Sequence, residues 1–189
     1  MIILLCGYKG CGKDTFAKYI ESKYIYKHFK FASGLKSSLK LLFSFDDDQL
    51  ESRKDTVDER WGITPRDAMI FVGTHMFQHE IQRLLPSMKK NFWVKQVCDQ
   101  LDPRDDIVIS DLRFVHEYEY MRDHFPDTRI KVVKISNPNL FIYQKDNEDS
   151  SETEHLQIPL NDIVMNDESY YTSIDALIRA YSSMSWLIL

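Results

Sequence analysis

Cysteine is scarce in this chain: Cys6, Cys11 and Cys98 are the three among 189 residues. An odd number without metal-ligand spacing excludes a disulfide scaffold and a zinc framework, and points to free thiols in a reducing compartment. Excess positive charge is also missing. Lys and Arg number 24 against 29 Asp and Glu, a formal net charge of −5, which argues against a nucleic-acid coat or a basic membrane anchor. No apolar run is long enough to cross a bilayer. The N-terminal run lacks a basic flank and is too short for a signal peptide, and Trp186-Leu187-Ile188-Leu189 is shorter still. That last stretch either packs on the domain or mediates contact, which keeps a homodimer open. Neither nucleic acid nor membrane is expected as a partner, and the cytosol, or a host's cytoplasm, is the expected compartment. There is no internal repeat, no separate linker and no Asn-Lys-x-Asp guanine-reading motif, so a GTPase-like switch is disfavoured. A chain of this length makes one domain the default and can bury a substantial core.

What the chain does have stands at its start. Ile2-Ile3-Leu4-Leu5-Cys6 is an unbroken apolar run of strand length, followed by Gly7-Tyr8-Lys9-Gly10-Cys11-Gly12-Lys13 and then a helix-like pattern from Asp14 to Ile20. This is the GxxxxGK spacing of a phosphate-binding loop, set between strand and helix as its mechanism requires. Glycines let the backbone curl so that its N–H groups face phosphate oxygens, the helix adds its positive dipole end, and Lys13 adds a charge for the outer phosphates. Gly7, Lys9, Gly10, Cys11, Gly12, Lys13, Asp14 and Thr15 are therefore the expected contacts of a nucleoside triphosphate. Cys11 is either oxidation-sensitive or simply a small residue tolerated in the loop. One position departs from the common motif, which places Ser or Thr after the lysine where this chain has Asp14. Two readings stand. Asp14 reaches Mg²⁺ directly or through water, or it is a first-turn acid that complements the helix dipole and faces away from the phosphates. Thr15 is placed for an inner phosphate in either case.

The remainder alternates strands and helices. His28-Phe29-Lys30-Phe31-Ala32 reads as a second strand, and Leu35, Leu39, Leu42 and Phe43 fall on one face of a helix. Asp46-Asp47-Asp48 fits a solvated loop or helix start better than a metal site. Thr64-Pro65-Arg66-Asp67 carries a cap, a proline at the first position and a first-turn acid, a strong helix beginning. Ala68, Met69, Val72 and Met76 continue it as a helical stripe, and Phe92, Trp93, Val97 and Leu101 mark another helix. The run from Asp106 to Asp111 predicts a buried strand ending in an acid, where a Walker-B-type aspartate belongs. A helix through Val115, Tyr118, Met121 and Phe125 follows, then a strand at Ile130-Lys131-Val132-Val133-Lys134-Ile135, a polar acidic stretch over 144–155 expected to be mobile with little to bury, a strand at Ile163-Val164-Met165 and a closing helix through Ile174, Leu177, Ile178 and Tyr181. The pattern predicts an α/β fold, a mostly parallel sheet covered on both faces, with ligands at the carboxyl ends of the strands.

Gly12-Lys13-Asp14-Thr15, Trp61-Gly62-Ile63-Thr64-Pro65-Arg66, Gly73-Thr74 and Ile109-Ser110-Asp111-Leu112-Arg113-Phe114 together resemble the deoxynucleoside monophosphate kinases of large DNA phages and viruses, within the wider nucleoside monophosphate kinase fold. Glu117 fits that family's habit of an acid after Arg-Phe. The resemblance implies a P-loop kinase three-layer αβα sandwich with a five-stranded parallel sheet. It also implies an ATP and Mg²⁺ site on the P-loop, a helical insert that binds the monophosphate, and a mobile lid. In those terms the core is 1–33 and 104–189, the insert about 34–103 and the lid about 139–156.

Such a reaction must hold two anionic phosphate groups in line and neutralise charge at the transferring phosphoryl group. Lys13 serves the donor, with Asp14 and Asp111 as alternative holders of Mg²⁺; Asp111 also could orient the acceptor. Arg66 and Arg113 suit the acceptor phosphate because a guanidinium fork matches its oxygens. Lys36 is a further cation for the acceptor, and Phe71, Gln78, Gln82 and Trp93 could line a base pocket. Each has a plainer reading: Arg66 a surface arginine on a helix start, Arg113 an ion pair with Asp111, the aromatics core. The lid departs from the family pattern, with Lys145 its one lysine and no arginine among Asp146, Glu148, Asp149, Glu152 and Glu154. Arg129, Lys131, Lys134 or a partner chain would then have to supply the charge. Three other functions remain: a phosphomevalonate-kinase-like enzyme, whose P-loop also carries Gly-Lys-Asp, a slowly cycling P-loop switch, and a nucleotide binder without turnover.

Overall fold

The computed structural model describes residues 1–143 and 153–183. The middle of the expected lid, with Lys145, and the terminal Trp186-Leu187-Ile188-Leu189 lie outside the described residues. Two compact units make up the chain, Met1–Phe29 with Asp102–Leu189, and Lys30–Leu101.

The first unit is organised on a five-stranded parallel sheet in the order β2-β3-β1-β4-β5. Its strands are β1 (Ile2–Cys6), β2 (Lys27–Phe29), β3 (Ile107–Ile109), β4 (Ile130–Ser136) and β5 (Asp162–Met165). The register sets Ile3 beside Val108 and Lys131, and Cys6 beside Lys134. Every residue of β1 is completely buried, as expected of a central parallel strand covered on both faces. Alternation sorts the side chains. Ile3, Leu5, Val108, Val133, Ile135 and Val164 pack with Phe16, Ala17 and Ile20 of α1 (Lys13–Tyr24) and with Tyr170, Ile174, Ile178 and Tyr181 of the closing helix (Tyr170–Ser183). Ile2, Leu4, Ile107 and Ile109 point the other way and are equally buried, and the helix Val115–His124 contributes Met121, fully buried too. The second strand is shorter than predicted and stops at Phe29, three residues before Ala32. The cysteines are all free and buried, and burial pushes Cys6 up to about 11 and Cys98 up to about 12. No helix of the described residues is long and apolar enough to cross a membrane.

The second unit is helical: α2 (Ser33–Phe43), α3 (Asp47–Glu51), α4 (Pro65–Ile70) and α5 (Phe92–Cys98). Asp46 and Thr64 each cap the following helix with a reciprocal box, through Gln49 and Asp67 respectively. A small core of Leu39, Phe45, Leu50, Ala68 and Val72 holds α2, α3 and α4, and α5 buries Trp93, Val94, Val97 and Cys98. Past Ile70 the chain winds as a π-helix over Phe71–His79. Bonds that reach one residue further rotate the face that an α-helix would keep buried. Ala68 and Val72 of the predicted stripe are accordingly buried, while Met76 is 42% exposed.

Among the described residues the first unit also has the α-helices α6 (Val115–His124) and α7 (Tyr170–Ser183).

Candidate active site

β1 ends at the middle of the sheet's carboxyl edge, and the loop 7–12 turns there into α1. Gly7 has φ 133°, and a Cβ on it would lie 2.4 Å from the Ile135 carbonyl oxygen. Gly12 has φ 110°, caps α1 in a left-handed conformation, and leaves no room for a Cβ, which would meet Asn166 Nδ2 at 2.5 Å. The loop is thus shaped by crowding as much as by flexibility. It is also tied down from the far end of the chain. Asn166 Nδ2 donates to the Cys11 carbonyl at 2.9 Å and the Tyr170 hydroxyl to the Gly12 carbonyl at 2.8 Å. Carbonyls are turned outward to these partners, which suits a loop whose N–H groups line the opposite, concave side.

Lys13 is the first residue of α1. Its Nζ donates to the carbonyls of Gly7 at 2.6 Å and Tyr8 at 2.8 Å, with Cys11 Sγ at 3.6 Å. The ammonium therefore sits on the loop itself. Cys11 is 1% exposed and burial raises its thiol above the ordinary range, so packing, not thiolate reactivity, is its evident role. Lys9, Gly10, Asp14 and Thr15 are exposed.

Asp14 is not a bare first-turn acid. Its Oδ1 accepts a hydrogen bond from the Ser110 hydroxyl at 2.7 Å, and Ser110 Oγ lies 2.8 Å from His28 Nε2. β2, the end of β3 and the start of α1 meet in this contact. Asp111 follows Ser110 directly, at the carboxyl end of β3, so the two carboxylates expected to hold a metal both belong to this edge. Carboxylate and hydroxyl oxygens are the hard donors that Mg²⁺ takes, and the donor set fits that ion.

Arg113 and Phe114 lead into α6, and their backbone N–H groups both donate to Glu117 Oε2, at 2.9 and 3.0 Å. Glu117 is 7% exposed. Burial pushes its carboxyl up to about 8; the two N–H bonds and the Arg113 charge oppose that rise, and the Asp111 charge adds to it. The far end of the expected lid segment reaches this corner too. Glu154 Oε1 accepts from the Val115 N–H at 3.1 Å, and His155 is 2% exposed with its ring edge-on to Tyr8 at 5.1 Å. The expectation that the polar stretch buries little fails at these two residues, because a helix N-terminus needs acceptors and Tyr8 offers a ring.

The cations proposed to stand in for lid arginines fare unequally. Arg129 precedes β4 at the amino edge of the sheet and donates to the Tyr181 carbonyl at 2.6 Å; Lys131 lies over the Tyr181 ring at 5.4 Å. Parallel register puts both near the edge opposite the P-loop, so neither replaces a lid cation. Lys134, paired with Cys6, is at the loop end of its strand.

In the helical unit, Arg66 forms a two-nitrogen fork with Asp55, its Nη2 3.0 Å from Oδ2, and Lys36 is paired with Glu51. Phe71 is 58% exposed and lines a groove of about 380 Å³ with Phe43, Ile63, Ala68, Ile70 and His75. Gln82 turns back to the Gln78 carbonyl at 2.6 Å. Trp93 is a core residue, buried and donating its indole N–H to the Gly73 carbonyl at 3.0 Å; it braces the π-helix and offers no open face to a base. Sequence reading missed His28, Asn166 and Tyr170. None lies in a motif, and only the fold brings Asn166 and Tyr170 to the loop and His28 to Ser110.

No family model matches the sequence. A protein of Acanthamoeba polyphaga mimivirus, provisionally named a deoxynucleotide monophosphate kinase, is 30% identical over 200 residues, covering 98% of this chain and 100% of that protein. Among solved structures, shikimate kinase from Aquifex aeolicus aligns with a TM-score of 0.51 at 11% identity, over 98% of this chain and 99% of that one. A Chloroflexus aurantiacus protein provisionally named a kinase aligns with a TM-score of 0.50 at 10% identity, over 98% and 95%. At such identities the solved structures speak for the fold alone.

Proposed function

The chain belongs to the family of the mimivirus protein, built on the P-loop kinase fold, and from that premise we propose that it transfers the γ-phosphoryl group of ATP to a (deoxy)nucleoside monophosphate, giving the diphosphate. The observation that supports this reading is the sheet's carboxyl edge, where a tightly shaped glycine loop carries Lys13, and Asp14 is held by Ser110, the residue before Asp111. An acceptor phosphate oxygen attacks the γ-phosphorus as the bond to the bridging oxygen of ADP breaks. The loop's N–H groups and the start of α1 hold the donor's inner phosphates. Lys13 exchanges its loop carbonyls for phosphate oxygens and neutralises charge as the phosphoryl group moves. Bound Mg²⁺ supplies charge neutralisation across the donor phosphates, and Asp14 and Asp111 are the residues that would hold it. For the acceptor phosphate, Arg113 is the sheet unit's candidate cation, and Lys36 and Arg66, the latter by leaving Asp55, are the helical unit's. Phe71 and the groove it lines offer a face on which a base could stack.

The decisive experiment is a phosphoryl-transfer assay with ATP, Mg²⁺ and a panel of deoxy- and ribonucleoside monophosphates together with phosphomevalonate. ADP formation dependent on one or more monophosphates is the expected result. Turnover with phosphomevalonate alone would move the acceptor to another class, and nucleotide binding without any turnover would remove the kinase activity.

A further inference from the structure

The three-residue contact at the end of β3 has a direction that the hydrogen atoms decide. The Ser110 hydroxyl carries one hydrogen, and the Asp14 carboxylate, when ionised, can only accept. That hydrogen is therefore committed to Asp14 Oδ1 at 2.7 Å. The second contact of the same oxygen, to His28 Nε2 at 2.8 Å, must then be made by an N–H of the imidazole. The chain of donors runs from His28 through Ser110 to Asp14. Its middle member is the most buried: Ser110 is 1% exposed, between a half-buried His28 and an Asp14 that faces solvent.

Asp14 occupies the position where a P-loop ordinarily places a hydroxyl, and a carboxylate there brings a full negative charge beside phosphates. Two serial donors draw charge onto one carboxylate oxygen and fix the plane of the group. We propose that Ser110 and His28 are positioning residues for Asp14, holding it as a magnesium-binding group in place of the hydroxyl that this loop lacks. Their chemistry is directed at a divalent cation accompanying a nucleoside triphosphate. The proposal rests on the nucleotide-kinase reading above. The placement is built by the fold: His28 pairs with Val108 across β2 and β3, and the Ser110 N–H donates to the Phe29 carbonyl at 3.3 Å. Both side chains are thereby delivered to the first turn of α1.

The test needs no acceptor. Nucleotide binding is measured by calorimetry with ATP alone in chelator and then across a Mg²⁺ titration, for wild type, Ser110→Ala, Ser110→Thr, His28→Leu, His28→Gln and Asp14→Ala. Ser110→Ala and His28→Leu are expected to raise the Mg²⁺ concentration at half-effect about tenfold, the usual consequence of removing a group that orients a metal ligand. Their affinity for metal-free ATP should stay at the wild-type value. Ser110→Thr and His28→Gln, which keep a hydroxyl and an N–H, should restore most of the loss. In the Asp14→Ala background, Ser110→Ala should add nothing. A lower melting temperature with an unchanged Mg²⁺ half-point would make the contact purely structural and overturn the proposal. So would an equal Ser110→Ala effect with and without Asp14. If Ser110→Ala does not fold, the pair His28→Leu and His28→Gln decides, since only the donor differs in kind. Wild type that binds no ATP with Mg²⁺ would sink the kinase reading and this proposal together; wild-type binding with flat variants sinks this proposal alone.

Discussion

The sheet unit and the helical unit of this chain solve the same problem with unequal means. Around β1 the core is continuous, with Ile2 through Cys6, Val108, Val133 and Ile135 at no exposure at all. The helical unit has a much smaller core, and leaves Leu41 at 85%, Leu42 at 61% and Leu84 at 76% exposed. The balance of its polar contacts differs as well. Arg66–Asp55, Lys36–Glu51 and Arg53–Asp48 are surface pairs, individually worth little, and Asp58, held by Arg60 and Gln49, is its one buried polar residue among the described residues, whereas the sheet unit places Ser110, Glu117 and His155 in its interior. The lesson is one of division. A phosphate loop needs a frame that does not yield, because its N–H groups work only when prepositioned. For the acceptor role proposed for the helical unit, pairs that exchange and faces that stay open would be an advantage.

The largest effect expected is on catalysis, on the rigid side of that division. Lys13→Met should lower kcat by about 10²–10³ while circular dichroism and melting remain near wild type. A folded variant with near-normal turnover would take the P-loop lysine out of the chemistry. Arg66→Ala, on the yielding side, should mainly raise the acceptor KM, because its fork with Asp55 is exposed and loses little stability when broken. Equal losses in ATP and acceptor affinity, read by titration, would place Arg66 on the donor side or in the scaffold.

Stability sharpens the contrast. Leu4→Ala empties a site with no exposure and should cost about 2–5 kcal/mol in chemical denaturation. Leu42→Ala, at 61% exposure, should stay within about 0.5 kcal/mol. Leu39→Ala is the informative middle case, since Leu39 is fully buried in the smaller core. A cost matching Leu4→Ala would show that the helical unit is as firmly packed as the sheet where it is packed at all.

The sheet was legible because its strands are short unbroken runs of Ile, Val and Leu, and parallel strands buried on both faces leave that trace. The P-loop was legible because its glycines and lysine are adjacent in sequence. The α-helical start at Thr64 was equally plain, its cap and acid being local. Beyond Ile70 the reading failed in detail, since nothing local announces that the chain widens into a π-helix and turns Met76 outward. His28, Asn166 and Tyr170 were invisible for another reason. Their partners Ser110, Cys11 and Gly12 are 82, 155 and 158 residues away, and only the strand order joins them. The pairing of Asp14 with Ser110 was likewise beyond a sequence, because 96 residues separate them.

Two glycines with left-handed backbones test the same division. Gly12→Ala must accept φ 110° and a Cβ 2.5 Å from Asn166 Nδ2, breaking the tie to the Cys11 carbonyl. A loss of about 2 kcal/mol is expected from strain and the lost bond together, with weakened ATP binding. Gly62→Ala has φ 66° and nothing within 4 Å of the new Cβ, so about 1 kcal/mol of backbone strain is all that should appear. Equal costs measured by denaturation would mean that Asn166 yields and that the loop is less tightly held than its contacts show.

Glu117 offers the smallest and most specific test, through pH. Its carboxyl is pushed up to about 8 by burial, from an ordinary value near 4.5. The folded state therefore holds a proton that the unfolded chain releases. With more protons bound when folded, stability must fall as pH rises. Glu117's contribution is fully present below about pH 4.5, declines between there and about pH 8, and is level above. Between pH 7 and 8 the wild type should lose about 1 kcal/mol through this one group. Glu117→Gln keeps a carbonyl oxygen for the Arg113 and Phe114 N–H groups and cannot ionise. Its stability curve should be flatter over that range and should meet or exceed wild type at pH 8. Parallel curves for the two proteins, measured by denaturant titration at each pH, would show that Glu117 is already ionised at neutral pH. The two N–H bonds would then have overcome burial, and the corner that carries Arg113 would owe its shape to an ordinary helix-start carboxylate.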